Sequence, residues 1–398
     1  STSRRQRQMC IRDSSEERRE ARYQRRKAKR EEKKAIRNAD HTFQKVTEFG
    51  SLRKSFYKAR RGTNWKASVQ KYGCNVLRNS YVISRKMRKH QKISKGFIEF
   101  DLYERGKIRH ISSVHITERV PQKAVCDYGI VPIMEKSLIY ENGASQEGKG
   151  TGFSSDQLIK DLRRHYRKSG FTNSGYIVMG DGHDFFASLR HDVIYKNMCK
   201  MITDQELIRQ TMDFISPFGK GLGLGSQVCQ INAVAYANAI DHYIKDVLRK
   251  KYYCRHMDDW YVIVDTKEEA DEILRDISKM YAEIGIEMNP KKTQKIKLSH
   301  GFTWLQDRYF LTENGKVIRK ASHKRIAQYR KKLKKMAVKV ENGEMDYSAV
   351  RSFYASISGY LAHKDGYLTK RSLANLYNEL FIEKFMQGGM RDEQIFAT

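Results

Sequence analysis

Two adjacent carboxylates, Asp258 and Asp259, interrupt the segment Tyr252–Asp265, which otherwise favours β-strand. Aromatic and β-branched residues on both sides of the pair predict two strands joined by a tight turn, with the carboxylates at its tip. A buried strand does not normally carry adjacent charges, whereas at a turn both side chains can project into one cavity and hold a divalent cation. A solvated Asp-Asp turn is the alternative, and it would be preferred if the pair stood alone.

A third carboxylate follows another predicted strand earlier in the chain. The apolar run Tyr176–Gly180 leads into Asp181, and two phenylalanines come shortly after it. Asp181 and Asp258 are 77 positions apart (258 − 181), and a glycine-rich segment, Gly219–Gly225, lies between them. The order and spacing of these segments indicate one site built from distant parts of the chain.

The segments resemble catalytic motifs of reverse transcriptases. In that family an aromatic-x-Asp-Asp hairpin is preceded by Asp-x-x-x-Phe-Phe-x-Ser-Leu. Here Asp181, Phe185 and Phe186 match the earlier motif, and His256 stands where the hairpin most often has Tyr. The resemblance extends over residues 107–373.

The resemblance implies that three carboxylates, Asp181, Asp258 and Asp259, are catalytic and hold two Mg²⁺ ions, for which Mn²⁺ can substitute. The carbonyl of Gly182 is a further expected metal ligand. In this mechanism one ion lowers the pKa of the primer 3′-hydroxyl, and the other carries the triphosphate and the leaving pyrophosphate.

The charge balance agrees with a nucleic-acid partner. The 398 residues include 77 Lys and Arg against 46 Asp and Glu, a formal net charge of +31. A polyanion is therefore the expected partner. No apolar run approaches ~20 residues, so the sequence predicts no membrane span. Six cysteines without a Cys-x-x-Cys pair argue against a zinc site and fit a reducing cytoplasm.

The N-terminal part divides into a basic tail, residues 1–40, and a helical region that leads into the fingers and the start of the palm, residues 41–180. Ser15–Asn38 favours a solvent-exposed helix without an apolar stripe, so it cannot dock by burial. An RNA-binding extension and a frayed, solvated helix are the two alternatives for it. Met9–Ser14 resembles a translated sequencing-library adapter, so no function is assigned to the residues up to Ser14. Between residues 41 and 98 we predict a buried helical face formed by Trp65, Tyr72, Val76, Leu77, Tyr81 and Val82.

Two predicted strands, Phe97–Leu102 and Ile108–Val114, form a hairpin around Arg105-Gly106. They resemble the reverse transcriptase fingers, where basic residues close over the triphosphate. Lys107, Arg109 and Arg119 are the implied nucleotide-binding residues, and the forked donors of arginine suit phosphate. In so basic a chain, a surface role for each is the alternative.

The glycine-rich loop at 219–225 leads into a predicted helix, and such a helix start presents unpaired amide donors. The loop resembles the family motif that contacts the nucleotide, which implicates Leu224, Gly225 and Gln230. Leu224 stands where accurate retroviral enzymes carry Gln, so we predict modest fidelity, with simple packing of Leu224 as the alternative. Phe186 resembles the ring that excludes a ribose 2′-hydroxyl.

Two later motifs complete the resemblance. Asn289–Thr293 resembles the family's Asn-x-x-Lys-Thr and makes Lys292 a nucleotide-binding candidate. Trp304, Leu305 and Gln306 resemble the primer grip, although Gln306 replaces the usual Gly. We expect residues 181–320 to form the palm and residues 321–398 a helical thumb.

The predicted fold is α+β: a right-hand polymerase with fingers, a palm built on an antiparallel sheet, and a helical thumb. The predicted function is RNA-directed DNA synthesis on an RNA template, with a DNA or RNA primer and dNTPs, by a cytoplasmic prokaryotic enzyme. A structured non-coding RNA is an expected partner, and an accessory protein or oligomer is compatible. Two alternatives are a catalytically silent RNA-binding scaffold and an RNA-dependent RNA polymerase of the same fold.

The nearest groups by motif are the diversity-generating retroelement enzymes and the defence-associated or unclassified bacterial enzymes. Gly223 replaces the Pro of the glycine-rich motif, and Cys229 replaces its Ser. Mutagenic retrohoming, antiviral defence and a mobile-element role therefore all stay open.

Overall fold

The structure, a computed structural model, describes residues 2–104 and 107–383, with side chains for residues 17–103 and 108–383. The chain forms two compact units. The first unit comprises residues 1–154, 180–260 and 275–293, and the second comprises residues 155–179, 261–274 and 294–398, each within the described ranges.

Helices dominate the chain up to residue 168, with one hairpin among them. The elements in order are α1 Thr2–Asn38, α2 Phe43–Thr47, α3 Phe49–Ala59, α4 Ala67–Cys74, α5 Val76–Arg88, β1 Phe97–Glu104, β2 Lys107–Val114, α6 Ile116–Val125 with a π-turn Cys126–Ile130, α7 Val131–Glu135 and α8 Thr151–Lys168. The predicted pairing of the two strands is confirmed, since β1 and β2 pair antiparallel from Phe97 opposite Val114 to Glu104 opposite Lys107. Arg105-Gly106, predicted to join them, lie outside the described residues.

The middle of the chain alternates strands and helices. The elements are β3 Tyr176–Gly180, α9 Phe185–Ser188, α10 His191–Met201, α11 Gln205–Ile215 with a 3₁₀ turn Ser216–Phe218, α12 Gln227–Tyr236, α13 Asn238–His242 with a π-turn Tyr243–Val247, β4 Tyr253–His256, β5 Asp259–Val264 and α14 Lys267–Glu283. The helix predicted to follow the glycine-rich loop begins at Gln227 and is interrupted at Ala237, where the backbone leaves the helical region.

The C-terminal part has four short strands and then three helices. The elements are β6 Gln294–Lys297, β7 Phe302–Trp304, β8 Asp307–Leu311, β9 Val317–Ala321, α15 His323–Glu341, α16 Tyr347–Ala362 and α17 Tyr367–Tyr377 with a π-turn Asn378–Glu383. Among the described strands, one sheet has the order β4-β5-β3-β6, and a second has the order β7-β8-β9. Helices α15, α16 and α17 confirm the helical character predicted after residue 321 as far as Glu383, the last described residue.

Helix α1 attaches through polar contacts at its C-terminal end. Lys34 Nζ donates to the carbonyl of Cys199 at 3.1 Å, and Asn38 Nδ2 donates to the carbonyl of Met201 at 3.1 Å. The amide of Thr203 donates to Asn38 Oδ1 at 3.0 Å. Side chains 17–33 are exposed, as predicted for a helix without an apolar stripe.

The buried face predicted for residues 65–82 is wrong except at Tyr72, which is 3% exposed. Trp65, Leu77, Tyr81 and Val82 are exposed, and Val76 is half-buried. Helix α5 instead turns Ser80, Ile83, Ser84 and Met87 inward. Ser84 can face the interior because its hydroxyl finds a partner there: Ser84 Oγ donates to the carbonyl of Thr47 at 2.5 Å.

The second unit has an apolar core between α15, α16, α17 and the final π-turn, which includes Leu333, Val350, Ile357 and Leu373. Beside it lies a buried charged cluster around Asp307, which is 2% exposed. Its carboxylate accepts hydrogen bonds from Arg319 Nε at 2.7 Å, from the Tyr360 hydroxyl at 2.5 Å and from Lys364 Nζ. The cluster thereby joins β8 and β9 to the end of α16.

No helix in the described ranges has both the length and the apolar character that crossing a bilayer requires.

Candidate active site

The Asp258-Asp259 pair lies at a two-residue hairpin turn. Strand β4 ends at His256, Met257 and Asp258 form the turn, and Asp259 is the first residue of β5. Met257 has a φ of 62°, a conformation that non-glycine residues rarely adopt. The predicted hairpin is therefore confirmed, with Asp258 at its tip and Asp259 one residue inside the following strand.

Strand β3 brings Asp181 to this turn. One carboxylate oxygen from each of Asp181, Asp258 and Asp259 can be chosen so that all three lie within 4.8 Å of one another. Asp181 is 3% exposed, and the other two are half-buried. Three clustered carboxylates supply the oxygen ligands that Mg²⁺ prefers, so the residues present fit a divalent metal site.

Close packing beneath the carboxylates depends on Gly180. A Cβ built at this position would lie 2.3 Å from the ring of Trp260, which is fully buried and follows Asp259 directly. A glycine before Asp181 therefore lets the strand that carries this carboxylate pass against the indole ring.

Two residues from the Asn289–Thr293 motif hold the carboxylate of Asp181. Lys292 Nζ lies 2.6 Å from Asp181 Oδ1, and Asn289 Nδ2 lies 3.3 Å from Asp181 Oδ2. The amide of Asn289 also donates to the carbonyl of Asp181 at 2.8 Å. Both carboxylate oxygens are thus oriented. The sequence singled out Lys292 but missed Asn289, although it opens the same motif.

The electrostatics of the cluster favour a bound cation. Burial raises the pKa of Asp259, and the negative charges of Asp258 and Asp181 raise it further. Burial and Asp181 also raise the pKa of Asp258, while the positive charges of Lys292 and Arg109 oppose that shift. Burial alone would lower the pKa of Lys292, but its hydrogen bond to Asp181 and the three carboxylates raise it.

A buried ion pair supports the hairpin from below. Arg255 is fully buried, and its Nε and Nη2 lie 2.8 and 2.6 Å from the two oxygens of Asp241. Arg255 Nη1 donates to the carbonyl of Met257 at 2.8 Å, which fixes the turn directly. The Tyr253 hydroxyl also donates to Asp241, at 2.6 Å. Sequence reasoning missed this role; the signal available was Asp241 itself, the one acidic residue of α13.

His256, which replaces the usual Tyr of the motif, packs toward the start of α8. Its Nδ1 lies 3.1 Å from Ser154 Oγ. Burial lowers the pKa of His256, so the ring is neutral at pH 7. A Cβ at Gly143 would lie 2.0 Å from the same Ser154 oxygen, so this glycine is needed for the contact.

A cavity of about 470 Å³ lies in the same unit. Five residues that the sequence assigned to nucleotide binding line it: Arg119, Phe186, Leu224, Gly225 and Gln230. Arg119 lies on α6. The loop that carries Leu224 is anchored to the β1–β2 hairpin, because the amide of Ser112 donates to the Leu224 carbonyl at 3.0 Å.

Two further lysines line this cavity. Lys58 and Lys123 both pair with Asp127, each at 2.8 Å, and Lys123 Nζ also donates to Gln227 Oε1 at 3.0 Å. Nothing local in the sequence distinguishes Lys58 from the many other basic residues of the chain. Three cations beside an aromatic ring can accommodate a phosphate chain and a sugar.

The remaining predicted residues divide between the two units. Lys107 has a side chain outside the described residues, whereas Arg109 is exposed on β2 and close enough to Asp258 to act on its pKa. In the second unit, Trp304 ends β7, and Leu305 and Gln306 form a two-residue turn before β8, with φ values of 47° and 69°.

Solved structures that are similar to this chain include two telomerases. The apo telomerase from Candida tropicalis, truncated from its C-terminal domain, is 13% identical over 57% of this chain and 55% of that chain, with a TM-score of 0.44. The telomerase from Candida albicans in complex with the TWJ fragment of telomeric RNA is 10% identical over 80% of this chain and 68% of that chain, with a TM-score of 0.44. This chain thus spans about half the length of the first.

No curated protein matches the sequence. A family model described as reverse transcriptase (RNA-dependent DNA polymerase) matches residues 87–306, which is 220 of the 398 residues (306 − 87 + 1). That range contains the three clustered carboxylates and the cavity residues from Val114 to Gln230, and its α+β architecture agrees with the predicted polymerase fold. The chain belongs to the reverse transcriptase family.

Proposed function

We propose that this protein is an RNA-directed DNA polymerase that extends a primer with dNTPs on an RNA template. The observation that carries the proposal is the convergence of Asp181, Asp258 and Asp259 within 4.8 Å in a chain of the reverse transcriptase family. Isolated acidic turns are common, but three clustered carboxylates, one of them 3% exposed, are a costly arrangement without a cation.

The three carboxylates would hold two Mg²⁺ ions, with Mn²⁺ as a substitute, and the Gly182 carbonyl is a further proposed ligand. When bound, the metal activates the primer 3′-hydroxyl and neutralises the triphosphate. Asn289 and Lys292 keep the Asp181 carboxylate oriented through hydrogen bonds to its two oxygens. Lys292 also contributes a positive charge beside the phosphates.

The cavity of about 470 Å³ is the proposed nucleotide site. Arg119, with Lys58 and Lys123, would attract the triphosphate, and Lys107 and Arg109 would close over it from the hairpin. Phe186 is half-buried in the wall and is proposed to exclude a ribose 2′-hydroxyl. Leu224 offers the nucleotide an apolar surface but no hydrogen bond, which fits selection by shape.

The domain boundaries are proposed as a basic tail over residues 1–40, the helical region and fingers over 41–180, the palm over 181–320 and the thumb over 321–398. Trp304, Leu305 and Gln306 are the proposed primer grip. The net charge of +31 supports an extensive nucleic-acid surface, and a structured non-coding RNA is the proposed additional partner. An accessory protein or a second subunit is compatible with this function.

The biological setting is proposed from the motifs alone. The glycine-rich segment 219–233 resembles those of diversity-generating retroelement enzymes and of defence-associated or unclassified bacterial enzymes. We therefore propose a cytoplasmic prokaryotic enzyme that acts in mutagenic retrohoming or antiviral defence. The genomic neighbourhood distinguishes these roles: a template and variable repeat pair supports the first, and a defence-gene cluster supports the second.

Primer extension with the purified chain tests the polymerase proposal. A labelled primer annealed to an RNA template is incubated with Mg²⁺ and either dNTPs or NTPs. Template-dependent extension with dNTPs is expected, and extension only with NTPs would identify an RNA-dependent RNA polymerase instead. RNA binding without extension under any divalent ion would favour the silent scaffold.

A further inference from the structure

A second cavity, of about 290 Å³, lies wholly within the second unit. Strands β8 and β9, the first turns of α15 and the loop before α17 form its walls. Five Lys and Arg side chains line it: Arg308, Lys320, Arg330, Lys364 and Lys370. Among the described residues that line the cavity, Asp365 is the one carboxylate.

The nearby carboxylates do not balance this charge. Asp365 Oδ2 accepts a hydrogen bond from the amide of Arg319 at 2.8 Å, and the Asp365 amide donates to the Arg319 carbonyl at 2.7 Å. Asp307 pairs with Lys364 but also with Arg319, a further cation. The cavity is therefore lined by five cations and one carboxylate. The nearby carboxylate of Asp307 is shared between Lys364 and Arg319.

Several of these cations are withdrawn from water. Lys364 is 7% exposed, and Arg308 and Lys370 are half-buried. Burial lowers the pKa of Lys364, its hydrogen bond and ion pair with Asp307 oppose that shift, and the positive charges of Arg319 and Arg325 act in the same direction as burial. Like charges repel more strongly where water is excluded, so an anion in the cavity relieves an unfavourable arrangement.

The N-terminus of α17 adds positive electrostatic potential to the cavity. Gly366 precedes this helix and has no side chain that could cap it, so the first backbone amides keep unused donors beside the cavity. This contribution is secondary to that of the lysine and arginine side chains.

We propose that this cavity binds a phosphodiester group of a nucleic acid. The inference rests on the proposed function, which supplies the polyanion. Arginine presents a fork that matches two phosphate oxygens, and lysine adds point charges. The same phosphodiester chemistry has two sources: the primer–template duplex, or an RNA segment outside the duplex.

Paired charge removals test the assignment. The cavity variant carries Lys320→Gln with Lys370→Gln. The matched control carries Lys331→Gln with Lys334→Gln, which removes the same charge from exposed positions of α15 that do not line the cavity. Binding of a labelled primer–template duplex and of a labelled single-stranded RNA is measured by fluorescence anisotropy over a salt series.

The cavity variant is expected to bind at least one probe about tenfold more weakly, with a salt slope shallower by about one for each lost phosphate contact. The control is expected to stay within about twofold of wild type. Loss confined to the duplex assigns the site to primer–template, loss confined to single-stranded RNA assigns it to RNA outside the duplex, and loss of both assigns it to phosphodiesters of either source. Equal effects of the cavity and control variants on both probes would overturn the proposal.

Lysine footprinting on the wild-type chain provides a measurement that needs no variant. RNA should protect Lys320 and Lys370 from acylation more than Lys331 and Lys334, and equal protection would contradict the site. Primer extension by the wild type, measured in parallel, separates the proposal of a phosphodiester site from the proposal of polymerase activity. Normal extension without cavity-specific binding rejects this site while leaving the polymerase proposal intact.

Discussion

Lys292 Nζ lies 2.6 Å from Asp181 Oδ1, so a lysine from one motif neutralises the carboxylate of another that is 111 positions away. Asn289 holds the second oxygen of Asp181 at 3.3 Å. Together they fix the direction in which this carboxylate presents its lone pairs. The orientation of the Asp181 carboxylate is therefore set by two side chains of the protein.

Substitution of Lys292 by Ala is expected to slow nucleotide addition by about tenfold or more, because a charge-assisted hydrogen bond contributes ~2 kcal/mol. Lys292→Arg should recover part of the rate, since it keeps the charge. Single-turnover extension on an RNA template measures both rates. Wild-type kinetics for Lys292→Ala would show that this lysine has no part in the reaction.

Removal of divalent metal should destabilise the first unit. Burial and the neighbouring carboxylates raise the pKa of Asp259, which means that its ionised form destabilises the fold when no cation is bound. We expect Mg²⁺ to raise the melting temperature of the wild type. In EDTA, Asp259→Asn should raise the melting temperature by about 2 °C, which corresponds to ~1 kcal/mol in the free energy of unfolding. The same substitution should reduce the rise in melting temperature that Mg²⁺ produces.

Asp184→Asn is the control for this thermal measurement, because the Asp184 side chain is 77% exposed and lies outside the carboxylate cluster. It should leave the Mg²⁺-dependent shift unchanged. A shift of equal size in Asp259→Asn would place cation binding elsewhere in the molecule.

Phe186→Ala is expected to raise ribonucleotide incorporation relative to deoxyribonucleotide incorporation, because it removes the ring from the wall of the cavity proposed to bind the nucleotide. Phe186→Tyr keeps the ring and should keep the selectivity. Competition between dNTP and NTP in primer extension gives the ratio. An unchanged ratio in Phe186→Ala would assign sugar selection to another group.

Gln306→Gly should stabilise the β7–β8 turn. Gln306 has a φ of 69°, in a left-handed region that costs a non-glycine residue about 1 kcal/mol. Gln306→Ala keeps the strain and loses the contact with Arg325, which lies 3.3 Å from Gln306 Oε1. In thermal unfolding, the melting temperature of Gln306→Gly should therefore be higher than those of the wild type and of Gln306→Ala. A less stable Gly variant would show that the side-chain contact outweighs the backbone strain.

Local patterns predicted the elements that carry the carboxylates. The β-branched and aromatic residues around Asp258 and the apolar run before Asp181 each specify a strand and the turn that follows it. These strands and turns can be predicted because their geometry depends on residues that are neighbours in the sequence. The exposure of the α1 side chains at 17–33 was predicted for the same reason, since the absence of an apolar stripe is a local property.

Features that depend on distant contacts were not predictable. Helix α5 buries Ser80 and Ser84 and exposes Leu77 and Tyr81, because the interior offers the Ser84 hydroxyl a carbonyl partner that the sequence does not reveal. The support of the hairpin by Asp241 likewise depends on the buried Arg255. Hydrophobic periodicity identifies a helix more reliably than it identifies which side of it is buried.

The double variant Asp258→Asn, Asp259→Asn gives the sharpest test of metal-dependent DNA synthesis at this site, with Asp184→Asn as the control. Primer extension on an RNA template and RNA binding are measured on the same preparations. We expect DNA synthesis to be abolished in the double variant while RNA affinity stays near the wild-type value, because metal ligation needs the carboxylate charge whereas RNA affinity comes from dispersed Lys and Arg. Extension by the double variant at the wild-type rate would contradict the assignment of these carboxylates to catalysis.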